Sequence, residues 1–488
     1  MFQSSLFRKI FLSLIILLLS GLVISQQKPA ELVDDGAFFL RYAENMLKGK
    51  LWFWNINDGQ IWGASAPFYP FVLALGLLMS SSPQDAAILV GTSFYLLTLS
   101  SMTIYRISKA NLIFLLSFLS FYLLNSSLKS WSLSGLETPL TLFLCSLCFC
   151  GLKRGFRPAI QVALASGLML HKIDLIPIGY LFLLCFSLKE NHFSWIALSK
   201  KLIYSSTILL AWHCFAWVYF DSPLPNSFQT KFFHQKDFVK LIDSSWFCSF
   251  LFLHHSHIWM SVLAIFSFIL YKRLPIDELP SIIFALGIIL IHSILYTIYH
   301  PFEPYNWYVM PALFALIFLA SLGVSAISKL SLDPRIQLGL SFLILLCILR
   351  ISYPIEKQNQ LNWNGYLSLF EKDRADAGRW VSEHTPQDFV VLTGWGNPAL
   401  YSQRKVIDSS FLQKKFEDID LVKQYQPEII IFQGSARSTP AQPEFRILNA
   451  QTKHKYVPIQ FFSSSYEAGH DYFFTVLARK DIVPEIKN

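Results

Sequence analysis

The stretch Val33-Asp34-Asp35-Gly36-Ala37-Phe38-Phe39-Leu40-Arg41-Tyr42 places two adjacent carboxylates directly after the first apolar run of the chain. Carboxylates beside a membrane are costly to desolvate unless a cation, a proton or a substrate compensates them. Ionisable groups in such surroundings cluster at functional sites, so Asp34 and Asp35 indicate one. The alternative is structural, namely a helix cap followed by a solvated helix face.

The residues after the pair have the spacing of a helix. Carboxylates in a first turn accept its free N–H groups and favour its dipole, and Phe38, Tyr42 and Met46 recur at every fourth position. The pattern predicts a half-buried helix that lies along the membrane surface. Arg41 follows Asp34 by two helical turns on the same face, so we expect the guanidinium and that carboxylate to face the same space.

The composition of the chain is that of a polytopic membrane protein. Of its 488 residues, 53% are hydrophobic, 16% are aromatic and only 15% are charged, and apolar runs of spanning length recur up to about residue 352. The net charge of +8 comes from scattered lysines and arginines. That distribution favours a role in membrane topology, and we expect no nucleic-acid partner.

Cysteines, histidines and glycine-rich loops give no sign of a disulfide framework, a metal centre or a nucleotide site. The seven cysteines all lie in or beside apolar runs. His254, His255 and His257 are loosely spaced and no carboxylate adjoins them, which favours interfacial histidines over zinc ligands. No phosphate-binding loop or nucleophile elbow occurs, so a nucleotide is not expected as the direct substrate.

Hydropathy predicts about eleven membrane-spanning helices. The first is residues 10–24, for which a signal peptide is the alternative, and the others are approximately residues 87–105, 111–127, 137–152, 158–171, 173–188, 202–220, 247–271, 280–298, 306–327 and 335–352. The run at residues 67–78 is short for a span, so we expect it in the outer interface. The basic loops then fall in the cytoplasm, which places the aspartate pair on the periplasmic side of a bacterial inner membrane.

The composition changes at Tyr353, where charged residues reach an ordinary frequency. We therefore predict an all-α transmembrane domain over residues 1–352 and a small soluble α/β domain over residues 353–488, which we call the outer domain. Its predicted elements are a helix at 363–383, a strand at 389–393, a turn at 394–398, a strand at 405–408, a helix at 411–425, and strands at 428–432, 455–462 and 472–477.

The predicted topology brings polar residues from distant parts of the chain to the outer face. Those expected around the aspartate pair are Lys129, Glu137, His171, Lys172, Asp174, Asn226, Lys231, Glu303, Tyr305 and Tyr308. For several of them a structural role is the alternative. Lys172 and Asp174 could form an ion pair that caps two helices, Glu137 could be a first-turn acid, and Lys231 could belong to a solvated loop.

Four stretches carry a family resemblance. They are residues 34–43, Trp62-Gly63-Ala64-Ser65-Ala66-Pro67, Ser134-Gly135-Leu136-Glu137-Thr138 and the loop Pro225-Asn226-Ser227-Phe228. They resemble the Asp-Asp-Ala-Tyr/Phe with Arg-Tyr-Ala, Glu-Gly-Tyr-Thr-Ser-Pro, Ser-Gly-Met-Glu-Thr and Pro-Asn-Thr motifs of the GT-C superfamily, whose multispanning glycosyltransferases use polyprenyl-phosphate sugars. Within it the chain is similar to the arabinofuranosyltransferases and to family 39-like bacterial membrane proteins.

The resemblance implies an inverting glycosyltransferase of the GT-C type. A sugar would move from a polyprenyl-phosphate donor to a hydroxyl of an envelope glycan, lipid or protein. Asp34 is then expected as the general base, with Asp35 orienting Arg41 or the sugar, and the reverse assignment of the aspartates is the alternative. Further substrate contacts are expected from Tyr42, Ser65, Lys129, Glu137, His171, Lys172, Asp174, Asn226, Lys231 and Tyr308.

The lysines among these residues would stabilise the phosphate that leaves, in the order Lys172, Lys129 and Lys231. A cofactor is therefore not required, although Asp34 and Asp35 could bind a divalent cation. The expected partners are the lipid-linked donor, the envelope acceptor and membrane lipids. The chain departs from the family where Arg-Pro-Asp becomes Lys172-Ile173-Asp174, which removes a bidentate guanidinium.

The sequence also allows other functions. An oligosaccharyltransferase or ligase that moves a preassembled glycan would use similar chemistry. A lipid flippase or transporter would share the hydropathy, but it is expected to carry charges at mid-bilayer on broken helices and to show internal repeats. The charges of this chain fall in outer loops and no repeat is visible. A non-catalytic assembly subunit is contradicted only by the intact aspartate pair.

Overall fold

The computed structural model describes residues 29–106, 112–190, 193–233, 245–255, 257–274, 276–298, 306–328, 334–409, 418–434, 448–469 and 472–486. The helices that precede the sheet are α1 (Asp34–Leu47), α2 (Tyr69–Leu78), α3 (Pro83–Arg106), α4 (Leu112–Leu124), α5 (Ser126–Ser132), α6 (Thr138–Arg154), α7 (Pro158–His171), α8 (Ile176–Lys189), α9 (Trp195–Phe220), α10 (Asn226–Phe233), α11 (Ser245–Cys248), α12 (Ile258–Ile269), α13 (Leu279–Ile298), α14 (Met310–Ser328), α15 (Pro334–Tyr366) and α16 (Lys372–His384). Short 3-10 turns lie at Ile173–Leu175, Tyr271–Arg273, Ile276–Glu278 and Asn306–Val309, and π-helical turns at Ser249–Leu253 and Leu367–Glu371.

The outer domain is built on a mixed sheet. Its strands are β1 (Val390–Thr393), β2 (Lys405–Asp408), β3 (Ile429–Gly434), β4 (Tyr456–Phe462) and β5 (Phe473–Arg479), and its remaining helices are α17 (Gly396–Ser402), α18 (Asp418–Tyr425), α19 (Ser464–Glu467) and a 3-10 helix at Lys480–Glu485. The five strands lie in the order β2-β1-β3-β5-β4. Strand β1 is parallel to β2 and β3, whereas β5 is antiparallel to β3 and β4.

Most predicted elements of the outer domain are confirmed, since each of the five predicted strands overlaps an observed one. The predicted turn at residues 394–398 is wrong from Gly396 onward, because α17 begins there. Pro398 lies in its first turn, where the missing proline N–H costs no helical hydrogen bond. The predicted helix at residues 411–425 is seen from Asp418, and residues 410–417 lie outside the described residues.

The apolar helices support a membrane protein, but the predicted count of about eleven spans is not confirmed. Within the described ranges, four helices are long and apolar enough to cross a membrane, and two bent pairs bring the number to six. Helices α6, α7 and α8, which we predicted to span, have 17, 14 and 14 residues. They are shorter than the roughly 20 residues that a bilayer core requires. The first predicted span, residues 10–24, lies outside the described residues.

Helix α2 corresponds to the apolar run that we expect in the interface. It has ten residues, so at about 1.5 Å per residue it covers half of a bilayer core. Tyr69 and Leu73 are fully buried, while Leu75, Leu78 and Met79 are exposed on its other side. The helix is therefore apolar both on the side that packs on the protein and on the side that points outward, and its place in the interface stays a prediction from its length.

The core of the helical part is organised around α14, almost all of whose side chains are buried. Phe314 lies edge-on to Phe118 with ring centroids 5.8 Å apart, and Phe318 stacks on Phe149 at 4.3 Å. On another side α14 packs directly on α12, where a Cβ added at Gly323 would lie 1.9 Å from the Leu263 carbonyl oxygen. A helix that is apolar all round is therefore surrounded by other helices.

Residues predicted on the cytoplasmic side gather at one end of the helices. The Lys153 ammonium pairs with Asp277 and with Glu278, to which the distance is 2.6 Å, and the Lys189 ammonium donates to the Lys153 carbonyl. Glu137 lies at the opposite end of α6, about 25 Å away by the helical rise. The residues predicted on the cytoplasmic side and those predicted on the outer side therefore lie at opposite ends of one helical bundle.

A single helix connects the helical part to the outer domain, since α15 continues through Tyr353 to Tyr366. Helix α1 contributes to both parts. Its Phe38 and Tyr42 belong to the apolar core of the outer domain, together with Trp54, whereas Phe39 and Leu40 belong to the core of the helical part. This shared helix carries the aspartate pair.

We predict that Gly323→Ala destabilises the protein by about 1–3 kcal/mol, because the added methyl group would force α14 away from α12. Gly167→Ala is the matched control, since nothing lies within 4 Å of the position its Cβ would take in α7. We expect the control to be neutral or stabilised by up to about 1 kcal/mol through helix propensity. Thermal unfolding of detergent-purified protein measures both, and equal melting temperatures for the two variants would contradict the packing.

Candidate active site

Glycine contacts position α1 against the turn before α6. The Val33 N–H donates to the Ser134 carbonyl oxygen at 3.2 Å, and a Cβ added at Gly36 would lie 2.6 Å from the same oxygen. Gly135 has a φ of +88°, a left-handed conformation that favours glycine, and its Cα lies against Gly36. The two motifs thus meet backbone to backbone, and this contact brings Asp35 close to Glu137.

A cavity opens where these elements meet. Of the predicted residues it is lined by Asp35, Tyr42, Ser65, Glu137, Lys172 and Tyr308. Residues that we did not predict complete the lining, namely Phe38, Phe39, Gly63, Ala64, Leu136, Ser227 and Trp307. All four stretches that resemble the GT-C motifs therefore contribute residues to one space, the last of them through Ser227.

One face of α1 forms a wall of this cavity. Asp35, Phe38, Phe39 and Tyr42 have the spacing i, i+3, i+4 and i+7, so they share a helical face. That spacing was visible in the sequence and could have identified the two phenylalanines. Trp307 carried no comparable signal, because it lies in a 3-10 turn directly after residues 299–305, which are outside the described residues.

The Asp35 carboxylate is available to a ligand. Its side chain is half-buried at the cavity wall, and among the described residues it has no hydrogen-bond or ion-pair partner. An unpaired carboxylate next to apolar walls can accept a proton or a hydrogen bond from whatever enters the cavity.

Lys172 supplies the cation of the cavity. Its ammonium lies 2.7 Å from Glu137 Oε1 and 3.9 Å from Asp174 Oδ2, and it stands over the Tyr308 ring at 4.8 Å from the centroid. Asp174 in turn accepts a hydrogen bond from the Tyr296 hydroxyl. The ion pair named as the alternative for Lys172 and Asp174 is therefore present, with Glu137 as the nearer partner. It faces the cavity, so the ammonium is both held and accessible.

Asp34 does not line the cavity, which corrects its expected place beside the substrate. The side chain is only 5% exposed, and its Oδ1 accepts the Asn397 N–H of the outer domain at 2.9 Å. Burial raises the pKa of Asp34 from 3.8 to about 7, because desolvation outweighs the attraction of the Arg374 guanidinium. Adjacent helical residues point about 100° apart, so one aspartate faces the cavity and the other faces the outer domain.

Arg41 is also turned away from the cavity, and its expected role beside the sugar is corrected in the same way. Its guanidinium donates to the carbonyls of Trp54 and Arg404, at 3.0 and 2.8 Å, and to that of Ala399. It also donates to Asn55 Oδ1 at 2.8 Å. Asp34 and Arg41 both contact α17 of the outer domain, and Arg41 also borders a separate open cleft beside that helix.

The other predicted residues lie around the cavity or outside it. His171 is buried, with Nε2 2.9 Å from Thr141 Oγ1, and Lys129 is buried on α5 without lining the cavity. The Asn226 N–H donates to the Trp62 carbonyl at 2.7 Å, which places the neighbouring Ser227 in the cavity wall. The side chain of Lys231 lies outside the described part of the chain, and so do Glu303 and Tyr305.

The residues that the structure describes bring no three histidine, cysteine, aspartate or glutamate side chains together as metal ligands. The ring nitrogens of His257 lie 2.8 Å from the Phe250 carbonyl and 3.3 Å from the Asn125 amide nitrogen. These contacts agree with a structural role for that histidine. Asp34 and Asp35 face different surroundings, so a cation held by both would require one of them to turn.

The fold is similar to that of known membrane glycosyltransferases. Crystal structures of ArnT from Cupriavidus metallidurans, in the apo state and bound to undecaprenyl phosphate, each match with a TM-score of 0.58 at 13% identity, over 95% of this chain and 97% of theirs. An oligosaccharyltransferase from Archaeoglobus fulgidus matches over 90% of this chain and 70% of its own, with a TM-score of 0.49 and 10% identity. No protein-family model and no curated protein matches the sequence. The predicted GT-C fold is confirmed by the ArnT structures.

We predict that Asp34 makes the stability of the protein depend on pH. A folded-state pKa of about 7, against 3.8 when unfolded, means that folding retains a proton which the unfolded chain releases. The contribution of Asp34 to the free energy of unfolding is fully present below about pH 4. It falls as the pH rises to 7, by at most about 1.4 kcal/mol per pH unit. Melting temperatures between pH 4.5 and 8 should decline less steeply for Asp34→Asn, and parallel curves for the two proteins would contradict the prediction.

Proposed function

We propose that this chain, which has the fold of the GT-C glycosyltransferases, transfers a sugar from a polyprenyl-phosphate donor to a hydroxyl group of an acceptor in the cell envelope. The observation that carries the proposal is that a carboxylate without a partner among the described residues, Asp35, and an ammonium, Lys172, line one cavity. The carboxylate can take the proton from an acceptor hydroxyl, and the ammonium can stabilise an anionic phosphate as it leaves.

Asp35 is the general base in this proposal. The acceptor hydroxyl would hydrogen-bond to its carboxylate and lose its proton to it while the oxygen attacks the anomeric carbon of the sugar. One displacement on the side opposite the leaving phosphate inverts the configuration at that carbon. Asp34 is less suited to the role, because its Oδ1 already accepts the Asn397 N–H and the outer domain covers it.

Lys172 stabilises the leaving group. Negative charge on the phosphate grows as the bond to the sugar breaks, so a fixed ammonium lowers the barrier more than it tightens substrate binding. Glu137 at 2.7 Å and Asp174 at 3.9 Å keep the ammonium protonated and in place. Because a lysine occupies this position, we propose that the reaction does not require a divalent cation.

Aromatic residues beside the cavity suit a polyprenyl chain. We call Trp52, Trp62, Phe68 and Trp212 the aromatic array; the ring of Trp212 on α9 lies 5.9, 5.5 and 4.7 Å from the other three in that order. Trp62 directly precedes Gly63, which lines the cavity, so the array begins at the cavity wall. The structural likeness to an ArnT bound to undecaprenyl phosphate supports this class of donor.

The acceptor and the side of the membrane follow from the predicted topology. The cavity lies at the end of the bundle opposite Lys153, whose loop carries the basic residues expected in the cytoplasm. We therefore place the cavity and the outer domain in the periplasm, attached to the inner membrane. An envelope glycan, lipid or protein would present its hydroxyl there, under the outer domain.

We expect Asp35→Asn to lower the rate of sugar transfer by about 10²- to 10⁴-fold, because the amide cannot accept the proton. Membranes that contain the protein would be given a panel of radiolabelled polyprenyl-phosphate sugars, and label in envelope acceptors would be counted. Asp34→Asn is the matched control, since its amide oxygen can still accept the Asn397 N–H, and it should retain transfer within about tenfold of wild type. Failure of the wild type with every sugar, or full activity of Asp35→Asn, would overturn the proposal.

We expect Lys172→Met to lower kcat by about 10²-fold, because the leaving phosphate loses its cation. Lys153→Met, which removes a lysine from the other end of the bundle, serves as the control and should retain transfer. EDTA should not reduce transfer by the wild type. A normal kcat for Lys172→Met would show that another cation stabilises the leaving phosphate. Loss of wild-type activity in EDTA that Mg²⁺ restores would show the same.

A further inference from the structure

A chain of buried hydrogen bonds runs from the interior of the outer domain to the first residue of α1. The Asn397 N–H donates to Asp34 Oδ1 at 2.9 Å. The side-chain amide of Asn397 donates at 3.0 Å to the Leu32 carbonyl and at 3.0 Å to Glu371 Oε2. We call Glu371, Asn397 and Asp34 the relay. All three are buried, so water does not compete for these bonds.

Glu371 anchors the relay in the outer domain. It is fully buried and also accepts from the Tyr366 hydroxyl and from Arg374 at 3.0 Å. The Arg374 guanidinium is sandwiched between the rings of Trp395 and Phe370, with its carbon 3.9 and 4.4 Å from their centroids. A carboxylate with partners on both oxygens and a guanidinium between two rings have little freedom to move.

Close backbone packing transmits this rigidity to α1. A Cβ added at Gly396 would lie 2.3 Å from the Asp34 carbonyl oxygen and 2.7 Å from the Phe38 ring. Two turns further along α1, Arg41 donates to the Ala399 carbonyl of the same helix α17. Helix α1 is thus attached to α17 at both of these residues, and two attachments on one face fix its rotation about its axis.

The rotation of α1 decides which residues face the cavity. Asp35, Phe39 and Tyr42 line it while Asp34 and Arg41 contact α17, because the two sets point in different directions around one helix. Phe38 lies between them, at the cavity and against Gly396. None of the three relay residues lines the cavity. They can act on the chemistry only by where they hold Asp35.

We propose that the relay makes the outer domain a positioning device for the active site, with Asn397 as the residue that connects the buried Glu371 to the aspartate pair. The outer domain then does more than cover the cavity, since it sets the orientation of the base. Asn397 and Glu371 are positioning residues that act through Asp34. The kinetic part of this inference rests on the proposed function, whereas the attachment itself does not.

Hydrogen exchange tests the attachment without any assay of transfer. In Asn397→Ala we expect the amides of residues 34–47 to exchange about tenfold faster than in wild type, because the side-chain bonds to Leu32 and Glu371 are lost. Asn449→Ala is the matched control, as Asn449 makes two hydrogen bonds to Tyr456 elsewhere in the outer domain. Equal exchange of residues 34–47 in both variants would overturn the inference. If Asn397→Ala does not fold, Asp34→Ala replaces it, because that variant removes the acceptor of the Asn397 N–H and should also speed the exchange of residues 34–47.

Steady-state kinetics test the consequence for the reaction. Asn397→Ala should lower kcat by about 10- to 100-fold while the donor KM changes less than about twofold, because a displaced base slows the chemistry without weakening the lipid site. Asp34→Asn should retain more of kcat than Asp34→Ala, since only the former keeps an acceptor for the Asn397 N–H. A normal kcat for Asn397→Ala, or an equal rise in donor KM, would overturn the positioning role. A wild type without transfer would instead refute the proposed function and leave the exchange result to decide on the attachment.

Discussion

Helix α1 is fixed between two contacts in which backbone touches backbone. On one side Gly36 lies against the Ser134 carbonyl and Gly135, and on the other Gly396 of the outer domain lies against the Asp34 carbonyl. A methyl group at Gly36 or Gly396 would collide with main-chain atoms, which cannot adapt as a side chain can. The helix therefore cannot rotate to present other residues to the cavity without separating one of these contacts. The arrangement of the whole candidate site follows from that constraint.

Two neighbouring aspartates thereby acquire different chemistry. The Asp34 carboxylate is enclosed by the outer domain, and burial favours its neutral form over the attraction of Arg374. The Asp35 carboxylate stands at the wall of an open cavity without a described partner. The Asp34 carboxylate is covered by the outer domain and cannot reach a ligand in the cavity, whereas a carboxylate at the cavity wall can accept a proton from one. Two identical side chains at adjacent positions can therefore have different roles, one structural and one chemical.

Much of the fold followed from local patterns in the sequence. The strands of the outer domain were evident from short apolar runs, and the meeting of Asp35 with Glu137 and Lys172 followed from the predicted topology and the motifs. The choice between Asp34 and Asp35 did not follow, because it depends on what packs on each side of α1. The partners of Arg41 were also hidden, since they are mainly carbonyl groups that every residue possesses. At α6, α7 and α8 the predicted bounds were close to the observed ones, but hydropathy does not show whether helices of 17, 14 and 14 residues cross a membrane.

Helix α15 gives the molecule a mechanical property. It is a single helix of 33 residues, about 50 Å long, that begins in the apolar part of the chain and ends at Tyr366. The π-helical turn that follows it contains Glu371, so the rod ends where the buried polar bonds of the outer domain begin. Pro354 lies inside this helix, where a proline removes one backbone hydrogen bond and favours a bend. Because Tyr366 lies about 18 Å beyond Pro354, a change of about 10° at that bend would move the end of the helix by about 3 Å. The angle of α15 at Pro354 thus becomes an input to the position of the outer domain above the cavity.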